Sequence, residues 1–109
     1  MTVRREATFE VQMAAGTLAD RAIPALAALG LNDVHRDGLT IKARRGLNWR
    51  SFGEHITVTL AESAPDRTRV KVESASVVVT TLLDWGSGAK NVRDVRAALI
   101  KASEGPAGT

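Results

Sequence analysis

Few residues of this chain could take part in catalysis. Ser51, His55 and Asp84 are the nominal members of a hydrolase triad, but no nucleophile-elbow sequence surrounds Ser51. The only other histidine is His35, and the two histidines lack the spacing of a metal-binding pair. The sequence has no cysteine and no segment with the spacing of a phosphate-binding glycine loop. We therefore expect no catalytic residue, no metal and no cofactor, and we interpret the protein as a non-enzyme.

Two glycine-containing segments hold most of the aromatic side chains. Trp49 and Phe52 lie in the first, Trp49-Arg-Ser-Phe-Gly-Glu54, and Trp85 lies in the second, Asp84-Trp-Gly86. These rings could close the open ends of the core, with Asp84 capping the last helix. They could also line the mouth of a ligand pocket between the sheet and that helix. The candidate ligand-binding residues on the second interpretation are Trp49, Arg50, Phe52, Glu54, Asp84 and Trp85.

Four cationic side chains alternate with apolar residues and are predicted to project from the polar face of the sheet. They are Lys42, Arg44, Arg69 and Lys71. Such a basic face could bind phosphate groups, or it could simply be solvated. The net charge is only +3, and that face offers no aromatic ring on which a base could stack. Both facts argue against nucleic acid as a partner.

Strict alternation of apolar and polar residues predicts four strands, at residues 6–11, 39–44, 55–60 and 69–73. A weaker strand is expected at 31–36, and the dipeptide Asp37-Gly38 after it is typical of a hairpin turn. Each strong strand has one apolar and one polar face. We therefore expect an antiparallel sheet with one face exposed to solvent and the other packed against helices.

Two helices are available to cover the apolar face. The first is predicted over residues 17–29, with Thr17 as N-cap and Gly30 as the stop. Pro24 lies inside it and predicts a kink near residues 20–23, or a division into two short helices. The second helix is predicted over residues 87–103, with an apolar stripe and a charged remainder. That stripe consists of Val92, Val95, Leu99 and Ala102.

These elements predict an α+β fold, a two-layer sandwich in which two helices pack on an antiparallel sheet. The order is β-α-β-β-β-β-α, within a single domain at residues 1–104 and a flexible tail at 105–109. This topology is similar to the TATA-binding-protein-like fold and to a shortened helix-grip fold. A fold by itself does not give a function.

The two aromatic segments, together with Asn91-Val92, resemble motifs of a family of small bacterial domains. That family carries a Trp-x-Ser-Trp/Phe-Gly-Glu loop before a strand and an Asp-Trp-Gly segment before the last helix. The resemblance covers residues 5–102, supports the fold and marks the two loops, and it implies no activity. Val79 stands where the family usually has a proline.

Residues 76–83 are β-prone and uncharged. Their three consecutive valines, Val77, Val78 and Val79, cannot all point into one two-layer core. An uncharged strand edge pairs readily with another chain, which predicts a homodimer contact through these valines. A crossover buried within one chain is the alternative.

Composition fits one small folded domain, since 44% of the 109 residues are hydrophobic and 25% are charged. Nothing resembles a signal peptide or a membrane span, and with no cysteine this favours the cytoplasm. We interpret the protein as a non-enzymatic module that binds a small apolar ligand or another protein. The alternative is a nucleic-acid-binding module that uses the basic face.

Overall fold

The computed structural model describes residues 2–45, 51–78 and 87–104, with side chains within 4–45, 54–75 and 90–104. Within these residues the elements are β1 (Thr2–Val11), α1 (Ala15–Ala28), β2 (Asn32–Asp37), β3 (Thr40–Arg45), β4 (Ser51–Ala64), β5 (Arg67–Val78) and α2 (Ser87–Glu104). The predicted α+β class and the order β-α-β-β-β-β-α are confirmed. The predicted tail at 105–109 lies outside the described residues.

The five strands form one antiparallel sheet in the order β1-β5-β4-β3-β2. Strand β5 is internal, since it pairs with β1 on one side and with β4 on the other. Val77 lies opposite Thr2 and Val78 lies opposite Ser51. The premise of an unpaired edge at these two valines is therefore wrong. Val79 lies outside the described residues, and the homodimer stays a prediction without its edge argument.

Helix α1 runs unbroken through Pro24, so the predicted division into two short helices is wrong. It begins at Ala15, with Ala14 at the N-cap and no side-chain capping bond, so Thr17 is not the N-cap. A proline inside a helix removes one backbone hydrogen bond. The buried apolar face of α1 compensates by packing on the sheet, because tertiary contacts routinely override local propensity. Leu18, Ala22 and Leu26, all fully buried, form that face.

The end of α1 is where the sequence predicts it. Gly30 has a φ of +85°, a backbone conformation that glycine adopts without strain. Its N–H donates to the carbonyl of Ala27, and the N–H of Leu31 donates to that of Leu26. This pair of hydrogen bonds is a Schellman motif, and Leu26 and Leu31 both join the core.

The predicted hairpin at Asp37-Gly38 joins β2 to β3. Asp37 lies opposite Thr40, which leaves a two-residue loop whose first residue, Gly38, has a φ of +63°. A positive φ at that position is what the tight hairpin turns require. Strand β2 also contains an irregularity between Asn32 and His35, where Asp33 has a φ of +53°.

The helices divide the inner face of the sheet between them. Helix α1 packs mainly against β2, β3 and β4 and touches β5, whereas α2 packs against β1 and β5 and alongside α1. Three residues of the predicted α2 stripe, Val92, Val95 and Leu99, are buried in the core, and Ala102 is half-buried. No helix among the described residues is long and apolar enough to cross a membrane.

Candidate ligand-binding site

The inner face of the sheet is aliphatic over most of its length. Its buried apolar residues on β3, β4 and β5 are Ile41, Ala43, Ile56, Val58, Leu60, Val70 and Val72. One step further along the same face, the residue types change to polar. Arg45 follows Ala43 by two positions, Glu54 precedes Ile56, and Ser74 follows Val72. Arg45 lies opposite Glu54, and Ser74 lies opposite Ile56, so these polar groups gather at one end of the inner face.

Helix α2 adds an amide to this end of the sheet. Asn91 is 2% exposed, and its Oδ1 accepts a hydrogen bond of 2.8 Å from Nη1 of Arg45. Its Nδ2 donates to Oγ of Ser74 at 3.3 Å, and Ser74 is 1% exposed. One buried amide thereby links β3, α2 and β5.

Carboxylates flank the guanidinium of Arg45. Asp94, one turn after Asn91, places Oδ2 3.9 Å from Nη1 of Arg45, and its Oδ1 lies 3.6 Å from Nε of Arg93. Glu54 is half-buried, and its Oε2 is enclosed by protein. We call Arg45, Glu54, Ser74, Asn91 and Asp94 the inner polar cluster. It combines one cation with two carboxylates, so its formal charge is −1.

Glu54 is the only one of the six predicted ligand-binding residues whose side chain the structure describes, and it belongs to the inner polar cluster. Trp49, Arg50, Asp84 and Trp85 lie outside the described residues. Phe52 lies on β4, but its side chain is also outside them. Their predicted role at a ligand mouth therefore stays a prediction.

The sequence did not single out Arg45, Ser74 or Asp94 as site residues, and Asn91 stood out only within the Asn-Val motif. Strand alternation did indicate two of these residues. Arg45 and Ser74 fall on the same strand face as the buried apolar residues that precede them. Asn91 also stands four residues before Val95, in line with the apolar stripe of α2. A polar residue on an otherwise apolar stripe indicates either a buried hydrogen-bond network or a binding site.

His55 is exposed on the outer face of β4, away from the inner polar cluster. The side chains of Ser51 and Asp84 lie outside the described residues, so the absence of a triad stays a prediction. No three potential metal-ligating side chains gather within the described part of the chain.

The four predicted basic residues lie on the outer face, as strand parity requires. Acidic side chains are interleaved with two of them. Nη2 of Arg69 lies 3.4 Å from Oε1 of Glu10, and Nζ of Lys71 lies within 3.6–3.7 Å of Glu6 and Glu73. This half of the outer face is therefore not a continuous basic strip of the kind that tracks a nucleic-acid backbone.

No family model matches this chain, and no curated protein matches it in sequence. The resemblance of its two loop motifs to small bacterial domains therefore rests on the motifs alone.

Solved structures show the same fold at low sequence identity. A START superfamily protein from Mycobacterium smegmatis aligns with a TM-score of 0.70 at 12% identity, over 93% of this chain and 97% of that one. Norcoclaurine synthase from Thalictrum flavum, in complex with dopamine and hydroxybenzaldehyde, aligns at 0.66 and 11%, over 93% and 86%. A conserved protein of unknown function from Enterococcus faecalis aligns at 0.60 and 14%, over 99% and 75%. The helix-grip prediction is confirmed, and the TATA-binding-protein-like alternative gains no support.

Proposed function

We propose that this protein binds a small amphipathic molecule between the inner face of the sheet and α2, without catalysing a reaction. The observation that carries the proposal is the buried amide of Asn91, which joins Arg45 to Ser74 beside an aliphatic surface. The polar end of the ligand meets the inner polar cluster, and its apolar body extends toward the predicted aromatic mouth, because Ala43 and Ile56 are already packed in the core at 2% and 1% exposure. The START-like neighbours support this placement through the fold alone.

The energetic cost of the cluster favours a binding role. Burying a polar group costs free energy that a hydrogen bond only offsets, and well-packed aliphatic residues often replace buried charge networks without loss of stability. Most other strand positions on this face carry such aliphatic residues, and the exception, Thr68 at the far end of β5, has its hydroxyl bonded to the carbonyl of Met13 at 2.7 Å. A polar end on an aliphatic face is also the usual composition of a small-molecule site.

The hydrogen-bonding capacity of the cluster selects the polar group of the ligand. Ser74 accepts from Asn91, so its hydroxyl proton can be donated to a ligand atom. Arg45 uses one N–H for Asn91 and has further N–H groups to donate. Because Asp94 lies 3.9 Å from that cation and Glu54 lies opposite it on β4, a further anion would meet unfavourable charge. The ligand group is therefore a neutral acceptor, such as a carbonyl or hydroxyl oxygen.

The surroundings of Ser74 support binding rather than catalysis. A serine nucleophile needs a neighbouring base that takes its proton. The described partner of Ser74 is an amide N–H, which only donates and cannot take a proton. The segments that contain Trp49, Phe52 and Trp85 would form the mouth of the site, with Arg50 and Asp84 at its rim.

A neutral ketone fluorophore such as Prodan tests the proposal. We expect saturable binding of one molecule per chain, with the blue shift of an apolar site. Arg45→Met should weaken binding by about 10-fold, the value of one hydrogen bond to a charged group. Arg44→Met is the matched control, because the neighbouring side chain points to the other face, and it should leave the affinity unchanged.

Native mass spectrometry of protein purified from its own host provides a second measurement, and we expect a co-purifying small molecule. The proposal is wrong if the fluorophore binds without saturation and no such molecule is retained. It is also wrong if Arg44→Met and Arg45→Met weaken binding equally.

A further inference from the structure

A recess lies on the outer face of the sheet, over β2, β3 and β4. Its volume is about 280 Å³, and its lining residues are His35, Lys42, Ala43, Arg44, His55, Ile56 and Thr57. We call its polar members, His35, Lys42, Arg44, His55 and Thr57, the outer basic recess. The recess is slightly smaller than the roughly 300–1,000 Å³ of typical small-molecule pockets, so it suits a single functional group with a small substituent.

Strand register brings the side chains of the recess together. Lys42 lies directly opposite His35 on one side and Thr57 on the other, and Arg44 lies opposite His55. Side chains that lie opposite each other on antiparallel strands are about 4.5–5.5 Å apart at Cβ. Two permanent cations and two imidazoles therefore share one small area.

These pairings differ from the rest of the outer face. Arg69 lies opposite Glu10, and Lys71 sits between Glu6 and Glu73. In the recess, the cross-strand partner of each cation on β3 includes an imidazole and no carboxylate. Opposite-charge cross-strand pairs stabilise a sheet, and neither cation of the recess has a carboxylate directly opposite it, a departure of the kind found at functional sites.

The nearest carboxylates compensate these cations weakly. Oδ2 of Asp33 lies 4.0 Å from Nη1 of Arg44, and its side chain is 70% exposed. Glu73, on β5 beyond Thr57, is already paired with Lys71 at 3.7 Å. Within the described residues, Lys42 forms no ion pair. The recess therefore retains positive charge.

Backbone strain beside the recess fixes one of its imidazoles. Asp33, at the irregularity in β2, has a φ of +53°, which is uncommon for a residue with a Cβ. Its carbonyl oxygen lies 2.8 Å from Nδ1 of His35. A carbonyl only accepts, so Nδ1 carries the proton and the neutral ring keeps Nε2 as an acceptor. Irregularities of this kind often re-aim a side chain beside a binding site.

We propose that the outer basic recess binds one phosphate group. Lys42 and Arg44 supply permanent charge, and the guanidinium of Arg44 matches two phosphate oxygens. Thr57 donates its hydroxyl proton, and Nε2 of His35 accepts the proton of a singly protonated phosphate. The carboxylates that flank Arg69 and Lys71 confine the positive charge to this recess, so the site recognises one phosphate group rather than a nucleic-acid backbone.

An NMR titration of the ¹⁵N-labelled protein tests the site at constant ionic strength. The probes are inorganic phosphate, phenyl phosphate and, as the ionic control, sodium chloride. We expect saturable shift changes with phosphate, confined to amides of β2, β3 and β4 near the recess. Lys42→Gln and Arg44→Gln should each weaken binding by about 10-fold, the loss of one charged hydrogen bond. Arg69→Gln, which removes a cation from the same face outside the recess, should have no effect.

The affinities of phenyl phosphate and inorganic phosphate, compared with each other, identify the source of the phosphate group. Tighter binding of phenyl phosphate assigns the recess to a phosphorylated small molecule, whereas equal affinity assigns it to free phosphate. The proposal fails if sodium chloride produces the same shifts, or if Lys42→Gln and Arg69→Gln act alike. Because all three variants alter exposed or half-exposed residues, their folding is checked by circular dichroism, and the neutral ketone probe should still bind them.

Discussion

Arg44 and Arg45 are consecutive residues of β3 that lie in two different environments. Their side chains are similarly exposed, at 43% and 34%, yet strand alternation sends them to opposite faces of the sheet. Both have a carboxylate at about the same distance, 4.0 Å for Arg44 and 3.9 Å for Arg45, but only Arg45 also donates a hydrogen bond to a buried amide, that of Asn91 at 2.8 Å. The same residue type thus joins a buried hydrogen-bond network on one face and a weakly compensated charge cluster on the other.

The two regions also differ in what assembles them. The inner polar cluster needs β3, β5 and α2 to meet, so it exists only when the helix is docked on the sheet. The outer basic recess follows from the pairing of β2, β3 and β4 alone. Substitutions that weaken the docking of α2 should therefore damage the inner region first.

The largest effect is expected for Leu99→Ala. Leu99 is fully buried on α2, and truncating such a leucine costs about 2–5 kcal/mol because it removes apolar contacts and leaves a cavity. Urea unfolding followed by circular dichroism measures this loss. Lys101→Ala, on the exposed side of the same helix, should change stability by less than about 0.5 kcal/mol. Equal losses for the two variants would mean that α2 is not docked through its apolar stripe.

A smaller loss is expected when the buried amide is removed. Asn91→Ala leaves the hydroxyl of Ser74 and one N–H of Arg45 without their partner, which costs about 1–3 kcal/mol. Asn32→Ala is the control, because Asn32 is exposed on β2. If both variants unfold at the same urea concentration with equal slopes, the cluster contributes nothing to stability and its role in binding stands alone.

The fold could be predicted because the chain repeats a few local rules without conflict. Leu39, Ile41 and Ala43 alternate with polar residues, and Gly30 and Gly38 stand where a positive φ is needed. Of the kink or division predicted at Pro24, the division was wrong, because a local rule says nothing of the core that holds α1 against the sheet. The pairing of Val77 was also missed, because strand order is a property of the whole sheet.

The candidate site was less predictable for a related reason. Arg45, Ser74 and Asn91 lie far apart in the sequence, and each is an ordinary polar residue near the end of an element. Only the register of β3, β4 and β5, with α2 above them, makes them neighbours. The rare tryptophans are easy to single out in the sequence. The buried network consists instead of arginine, serine and asparagine, which are common on protein surfaces.

The smallest effect is expected for the ion pairs on the acidic half of the outer face. Arg69 and Glu10 lie 3.4 Å apart with side chains 62% and 40% exposed, so water screens their attraction. A double-mutant cycle with Arg69→Ala and Glu10→Ala should give a coupling energy of about 0.2–1 kcal/mol in low salt. About 1 M sodium chloride shortens the screening length to roughly 3 Å and should reduce the coupling toward zero.

A coupling that stays large in high salt would contradict this view of the outer face. It would mean that Arg69 is held firmly by Glu10, and that interleaved carboxylates order this half of the sheet. A weak, salt-sensitive coupling would show that Arg69, which lies outside the recess, also contributes little to the stability of the fold. That property is what the phosphate titration requires of its control, because only then does the difference between Lys42→Gln and Arg69→Gln report the geometry of the recess rather than the net charge of the face.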